Sequence, residues 1–354
     1  MRGEPMRKTA RWIVVGCGLA VGAGLAVAPT LLHATLAGAK LSARLTDREF
    51  WQLSLDASEP NGYFRSDNLT SNELEFERVI PELLTRTRPG AAYLGVGPEQ
   101  NFTYMAATRP AIAVIFDIRR GNLLLQLMYK AIFELTKDRA DFVSMLFSRP
   151  RPKGLSAETP VPDLFAAFGA TANDEALYER NLTAIDDRLL KFHALPLPAE
   201  DVDGIRRIYR VFFDRGAAIR FSPNYAELMT ATDAAGVYRS YLASESNFTF
   251  VRDLEASNLV VPVVGDFAGP KAIRAVAAYL KAHDATVGVF YLSNVEQYLE
   301  GGKWAAFCRS VATLPLDASS TFIRSTSGRG VRFGPGFVSS LGAMAAETKS
   351  CPAG

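Results

Sequence analysis

Beyond residue 40 the apolar pattern switches repeatedly between two periods. Ala91 to Leu94 is a short apolar run closed by Gly95-Val96-Gly97-Pro98. Glu99 to Thr108 carries a helical repeat, and Ala111 to Phe116 is a second continuous apolar run that stops at Asp117. A continuous apolar run of this length suits a strand buried on both faces, whereas a 3.6-residue repeat places one helix face against such a strand. The alternation returns later. Leu259 to Val264, Ala285 to Leu292 and Thr321 to Arg324 read as strands, separated by helical patterns over Pro270 to His283 and Trp304 to Val311. Strands alternating with helices predict an α/β fold: a mostly parallel sheet with helices on both faces, in which the first four runs are neighbouring parallel strands.

The chain between the two sets has another texture. Gly121 to Leu146 is helical in pattern, and then Pro150, Pro152, Pro160 and Pro162 interrupt any regular element. Helical periodicity resumes from Asp174 to Phe213 and from Tyr225 to Leu254, broken at His193 to Pro198. The expectation is one domain over residues 40–354 that carries a helical insertion at about 148–256, packed outside the sheet. Ahead of the first strand, Thr70 and Glu73 have the spacing of a capping box for a helix from Leu74 to Leu84.

The first 39 residues differ again. A basic stretch, Met1 to Arg11, leads into an uncharged run from Trp12 to Ala39 that ends in Ala37-Gly38-Ala39. This is the layout of a signal peptide with a small-residue cleavage site. The run is also near the roughly 20 residues that a membrane helix needs, so residues 12–32 are an alternative anchor, although the glycines between Gly16 and Pro29 weaken a helix there. Either way the body is expected to be exported, to the periplasm or outside, or held at the inner membrane. A body facing the cytoplasm is the less favoured alternative. Cys17 lies in this segment as a passenger.

Composition narrows the chemistry. With 48% apolar and 21% charged residues the chain can bury a full core. The formal charge of +2 misleads, because four basic residues and one acid precede residue 40; the body holds 35 basic and 36 acidic side chains. A near-neutral body offers no electrostatic footprint for nucleic acid, and a small-molecule ligand is expected instead. Only His193 and His283 lie in the body, far apart and without cysteine or paired carboxylates at ligand spacing, so no metal site is expected. There is no G-x-S-x-G elbow and no P-loop. Cys308 and Cys351 pair if the body sits in an oxidising compartment and stay free thiols otherwise.

Three segments carry candidate chemistry. In the first, Tyr93 to Phe102 ("YLGVGPEQNF") is followed by Phe116 to Asn122 ("FDIRRGN"), with Asp117 twenty positions after Gly97. Glycines after a strand let the backbone turn tightly into a helix whose first N–H groups face a ligand, and an acid ending the next strand can accept both hydroxyls of a ribose. The candidates are Gly95, Gly97, Glu99, Asn101, Asp117 and Arg119. The alternative is a tight crossover with Asp117 as a helix cap. In the second, Glu59 to Glu73 ("EPNGYFRSDNLTSNE") is rich in polar residues with no evident structural task, and Asn61, Tyr63, Asp67, Asn68 and Asn72 are read as a ligand loop. In the third, Phe290 to Leu299, a strand ends at Ser293-Asn294; this pair either caps the next helix or touches the ligand.

These residues resemble those of the class I S-adenosylmethionine-dependent methyltransferases, in an uncharacterised bacterial branch, over about residues 60–147 and 225–325. The resemblance implies a Rossmann-type fold and S-adenosylmethionine as cofactor, with Gly95 and Gly97 at its backbone, Asp117 at its ribose, and Asp266 beside the transfer site; Asn294, from the strand end above, is a second catalytic candidate. Two positions depart from the pattern. Tyr93-Leu94 stands where an acid usually precedes the first glycine, and Glu99 stands in place of the third glycine, where its charge opposes a cofactor carboxylate. Export and a cytosolic methyl donor also pull apart. Two functions therefore stand side by side: a methyltransferase-like protein binding S-adenosylmethionine or a related nucleoside, and an exported, non-catalytic small-molecule-binding protein that kept the fold.

Overall fold

A computed structural model describes residues 40–219, 223–327 and 337–352. Residues 1–39, expected from the sequence to be an export or anchor segment, lie outside the described residues. Among the described residues no helix is long and apolar enough to cross a membrane.

Helix α1 (Asp47–Ala57) opens the chain behind a capping box made by Thr46 and Glu49, and α2 (Ile80–Arg86) follows. The first βαβ unit is β1 (Ala92–Val96), α3 (Gln100–Thr108) and β2 (Ile112–Asp117). Then come α4 (Arg120–Leu135), α5 (Arg139–Phe147), α6 (Val161–Gly169), α7 (Glu175–Asp187), α8 (Ala199–Arg215), α9 (Tyr225–Met229) and α10 (Glu245–Ala256). The second set is β3 (Val260–Val264), α11 (Ala272–Ala282), β4 (Val287–Ser293), α12 (Lys303–Val311), β5 (Thr321–Ser327) and β6 (Phe337–Ala343).

The six strands form one sheet in the order β3-β2-β1-β4-β5-β6, parallel except for β6. The four expected strands are neighbours, with Gly95 beside Ile115 and Asp117 beside Val264. Their continuous apolar runs are explained by burial: every residue of β2 and β3 is buried. This is the Rossmann-type strand order. Pro262 is tolerated in β3 because that strand is at the edge, where one side of the backbone needs no ladder partner. Helix α1 caps the region, its Ser54 hydroxyl donating to the Pro262 carbonyl at 2.6 Å.

Three expectations needed correction. Residues 74–84 do not form one helix: a 3-10 turn over Phe76–Val79 runs into α2, and it has no side-chain cap. Glu73 is buried instead, because distant hydroxyls claim its carboxylate. The helical periodicity over 225–254 is interrupted: it resolves into two helices separated by a loop that holds the isolated bridge between Thr232 and Tyr238. Strand β6 was not anticipated; its half-exposed alternating residues gain order by pairing antiparallel along all of β5.

Candidate functional site

The chain turns one way from β1 to β2 and β3, and the other way from β4 to β5, so a crevice opens at the carboxyl ends of β1 and β4. A cavity of about 410 Å³ occupies it. That volume lies in the range of small-molecule sites. The strand ends contribute Gly97, Asp117, Asp266 and Ser293, and the segment from Tyr63 to Asn72 closes one side.

The glycine turn is built from beneath. Asn101 accepts the Tyr93 hydroxyl at 2.8 Å on its Oδ1 and donates from Nδ2 to the carbonyls of Val96 and Pro98 at 3.0 and 2.7 Å. A Cβ on Gly95 would lie 1.9 Å from that Oδ1, so glycine is required there for packing. Gly97 is glycine for another reason. Its φ is +79°, in the left-handed region, and nothing lies within 4 Å of where a Cβ would point. The Gln126 amide holds its carbonyl at 3.0 Å. Gly97 thus faces the cavity, whereas Gly95 and Asn101 support the turn from inside.

Glu99 also turns inward. It is fully buried and accepts the Ser71 backbone N–H at 3.1 Å, and it is absent from the cavity wall. A charge at the helix start would oppose an anionic group there, and the fold turns it away from the cavity.

Asp117 lines the cavity but is already engaged. Its Oδ1 accepts the Arg119 backbone N–H at 2.8 Å and Nε at 3.2 Å, and its Oδ2 accepts Nη2 at 3.2 Å. Burial pushes its carboxyl above the usual carboxylate range, against the opposing pull of Arg119. Arg119 in turn donates to the Asp67 carbonyl, tying β2 to the loop. It does not line the cavity.

The loop residues divide. Asn61 accepts the Arg120 N–H at 2.7 Å and so caps the start of α4, a structural task. The Asp67 side chain is 96% exposed and lies off the cavity. Tyr63, Asn68 and Asn72 all line it, with Tyr63 86% exposed at the rim and Asn68 at φ +41°. Asp266 and Asn294 line it as well; the Asp266 Oδ1 accepts the Ala268 N–H at 2.9 Å. Ser293, at φ +50°, ends β4 with its hydroxyl on Glu73.

Sequence reasoning missed Glu73 as part of this neighbourhood, along with Phe64, Arg65, Tyr291, Tyr298 and Lys303 on the wall. Phe64 packs edge-on to Tyr298 at 5.2 Å. Phe64, Arg65, Tyr291 and Tyr298 lie inside the segments Glu59 to Glu73 and Phe290 to Leu299, whose position was the available signal; Lys303 lies four residues beyond the second.

The fold and cavity define a Rossmann-type α/β protein with a cleft at the carboxyl edge of its sheet. The family model described as "Domain of unknown function (DUF7790)" matches residues 69–155 and 168–344, and the chain belongs to that family. The matched stretches contain the glycine turn, Asp117, Asp266 and Ser293. No curated protein matches the chain.

Proposed function

We propose that the protein binds a nucleoside-type small molecule in this cavity, with S-adenosylmethionine, implied by the methyltransferase resemblance, as the first candidate. The observation carrying the reading is that Gly97, open to the cavity, and Asp117, at the end of the next strand, stand on one wall at the sheet's switch point. The residues present fit such a ligand in part. A glycine backbone without a side chain admits close approach, and the inward turn of Glu99 removes the repulsion feared for a carboxylate. Asp117 keeps a lone pair on Oδ2 for one ribose hydroxyl, fewer than an unpaired carboxylate has. Asp266 and Asn294 are the candidates for work beside a transferred group.

A second reading, an exported binding protein without catalysis, is favoured by one specific observation. Cys308 and Cys351 are disulfide-bonded with their Cα atoms 5.5 Å apart. Structural disulfides persist in oxidising compartments, where a cytosolic methyl donor is not supplied. Calorimetry of the purified body with S-adenosylmethionine and S-adenosylhomocysteine tests the first reading, and absence of heat from both removes it. Intact mass and fractionation from the native host test export; a full-length chain in the soluble cytoplasm removes the second.

A further inference from the structure

Behind the inner wall of the cavity lies a buried carboxylate with no cationic partner among the described residues. Glu73 is 2% exposed. One carboxylate oxygen accepts the Ser293 hydroxyl, and the other accepts the Ser325 hydroxyl and the Gln100 amide, the last at 3.0 Å. All three donors are neutral. Among the described residues no Lys, Arg or His pairs with Glu73, whereas Asp117 has Arg119 and Glu296 has Arg324. Burying a carboxylate without a cation is costly, and a fold that retains one beside a cavity leaves a negative potential there.

Ser293 brings this potential to the wall. Its hydroxyl donates to Glu73 and the residue lines the cavity, held by a backbone at φ +50° that residues with a Cβ seldom adopt. Asp266 is a second wall carboxylate without a cation among the described residues. Ring faces complete the environment: Tyr291 is a buried wall residue, and Phe64 and Tyr298 stand at the loop side. Aromatic faces attract cations, and the chain's own Arg65 guanidinium lies 5.9 Å from the Tyr298 ring centre. The two cationic wall residues, Arg65 and Lys303, are exposed and so sit on the solvent side.

We infer that Glu73, acting through Ser293, makes the inner end of the cavity a subsite for a positively charged, alkylated group of the ligand: an onium centre such as a quaternary ammonium or a sulfonium. This rests on the reading that the cavity is the ligand site, and it does not need the ligand to be a nucleoside. Glu73 is a specificity-determining residue that acts at one remove.

The test is ligand-observed saturation-transfer NMR on the purified body with two probes of similar shape, tetramethylammonium and neutral tert-butanol. Wild-type protein should bind tetramethylammonium and ignore tert-butanol. Glu73→Gln should weaken tetramethylammonium roughly tenfold or more, the order expected from losing one charge at a few ångströms in a protein cleft. Ser293→Ala, which leaves the buried carboxylate in place, should weaken it less and serves if Glu73→Gln does not fold. Equal binding of the two probes, no binding of tetramethylammonium at millimolar concentration, or an unchanged affinity in folded Glu73→Gln overturns the subsite. Titrating S-adenosylmethionine and S-adenosylhomocysteine alongside separates the two ideas. Nucleosides that bind without preference for the sulfonium, with no discrimination between the small probes, overturn the subsite and leave the nucleoside reading. Onium selectivity without nucleoside binding does the reverse.

Discussion

Two polar clusters lie toward opposite ends of α4, and they treat charge differently. Near its carboxyl end, His193 places Nδ1 2.7 Å from Asp47 and Nε2 2.7 Å from Glu134. Both ring nitrogens therefore meet carboxylate oxygens. Lys130, buried, pairs with Glu134 at 2.8 Å and donates to the Glu255 carbonyl. Burial pushes the Glu255 carboxyl up to about 8, which keeps it neutral. Lys130, His193 and, at 3.7 Å, Arg188 thus converge on Glu134, and α1, α4, α10 and the turn after α7 are pinned together. At the other end, around the cavity, Glu73 and Asp266 have no cationic partner among the described residues. Balanced charge belongs to a structural joint, and unbalanced charge beside a cavity points to something that arrives from outside.

The largest expected effect strikes the joint. Lys130→Ala leaves Glu134 buried with part of its compensation gone and should cost about 3–5 kcal/mol in urea unfolding, while leaving ligand binding by the folded fraction unchanged. A loss of binding with intact stability would erase the contrast between the two clusters.

Next is the cavity wall. Asp117→Asn keeps an acceptor for the Arg119 N–H but removes the charge, and should weaken a nucleoside ligand by about 1.5–3 kcal/mol in calorimetry. Asp117→Ala should also lower the melting temperature, because buried Arg119 loses the carboxylate it pairs with and keeps only its contacts to Asp67.

The joint also predicts a pH profile. Burial opposes it, yet hydrogen bonds from Asn258 and His193 hold Asp47 below its usual range, and His193 with Lys130 does the same for Glu134. Depressed acids contribute stability above their unfolded values, and it is lost as pH falls through the folded ones. Glu255 has the opposite sign. Its contribution is intact below the ordinary glutamate value and is lost as pH rises toward 8. Glu255→Gln should therefore gain stability on the order of 1–3 kcal/mol at pH 8 and little at pH 4, as measured by thermal unfolding across pH. Equal gains at both pH values would mean that Glu255 is charged in the fold.

The smallest effect sharpens the site itself. Gly97→Ala forces a Cβ into the left-handed region at a cost of about 1–2 kcal/mol, with no clash. Because that Cβ points into open cavity, binding should fall further than stability. An unchanged affinity would detach the ligand from the glycine turn.

The sequence by itself determined the sheet and its edge. Runs such as Ala111 to Phe116 are apolar at every position, which suits only a strand covered on both faces, and right-handed crossovers then bring the carboxyl ends of parallel strands to one side. Gly97, Asp117, Asp266 and Ser293 meet for that reason. What each side chain holds was decided by tertiary contacts. Thr70 and Glu73 have a capping-box spacing, but Glu73 instead accepts Ser293 and Ser325, 220 and 252 positions away. Glu99 seemed placed to meet a ligand and turned to Ser71, 28 positions back. Strand β6, with alternating exposure, had too weak an apolar signal to be seen without β5 beside it. Backbone form follows local pattern because burial period and turn geometry are properties of neighbouring residues. A polar side chain's partner depends on which distant donors the fold brings within 3 Å, and no local spacing encodes that.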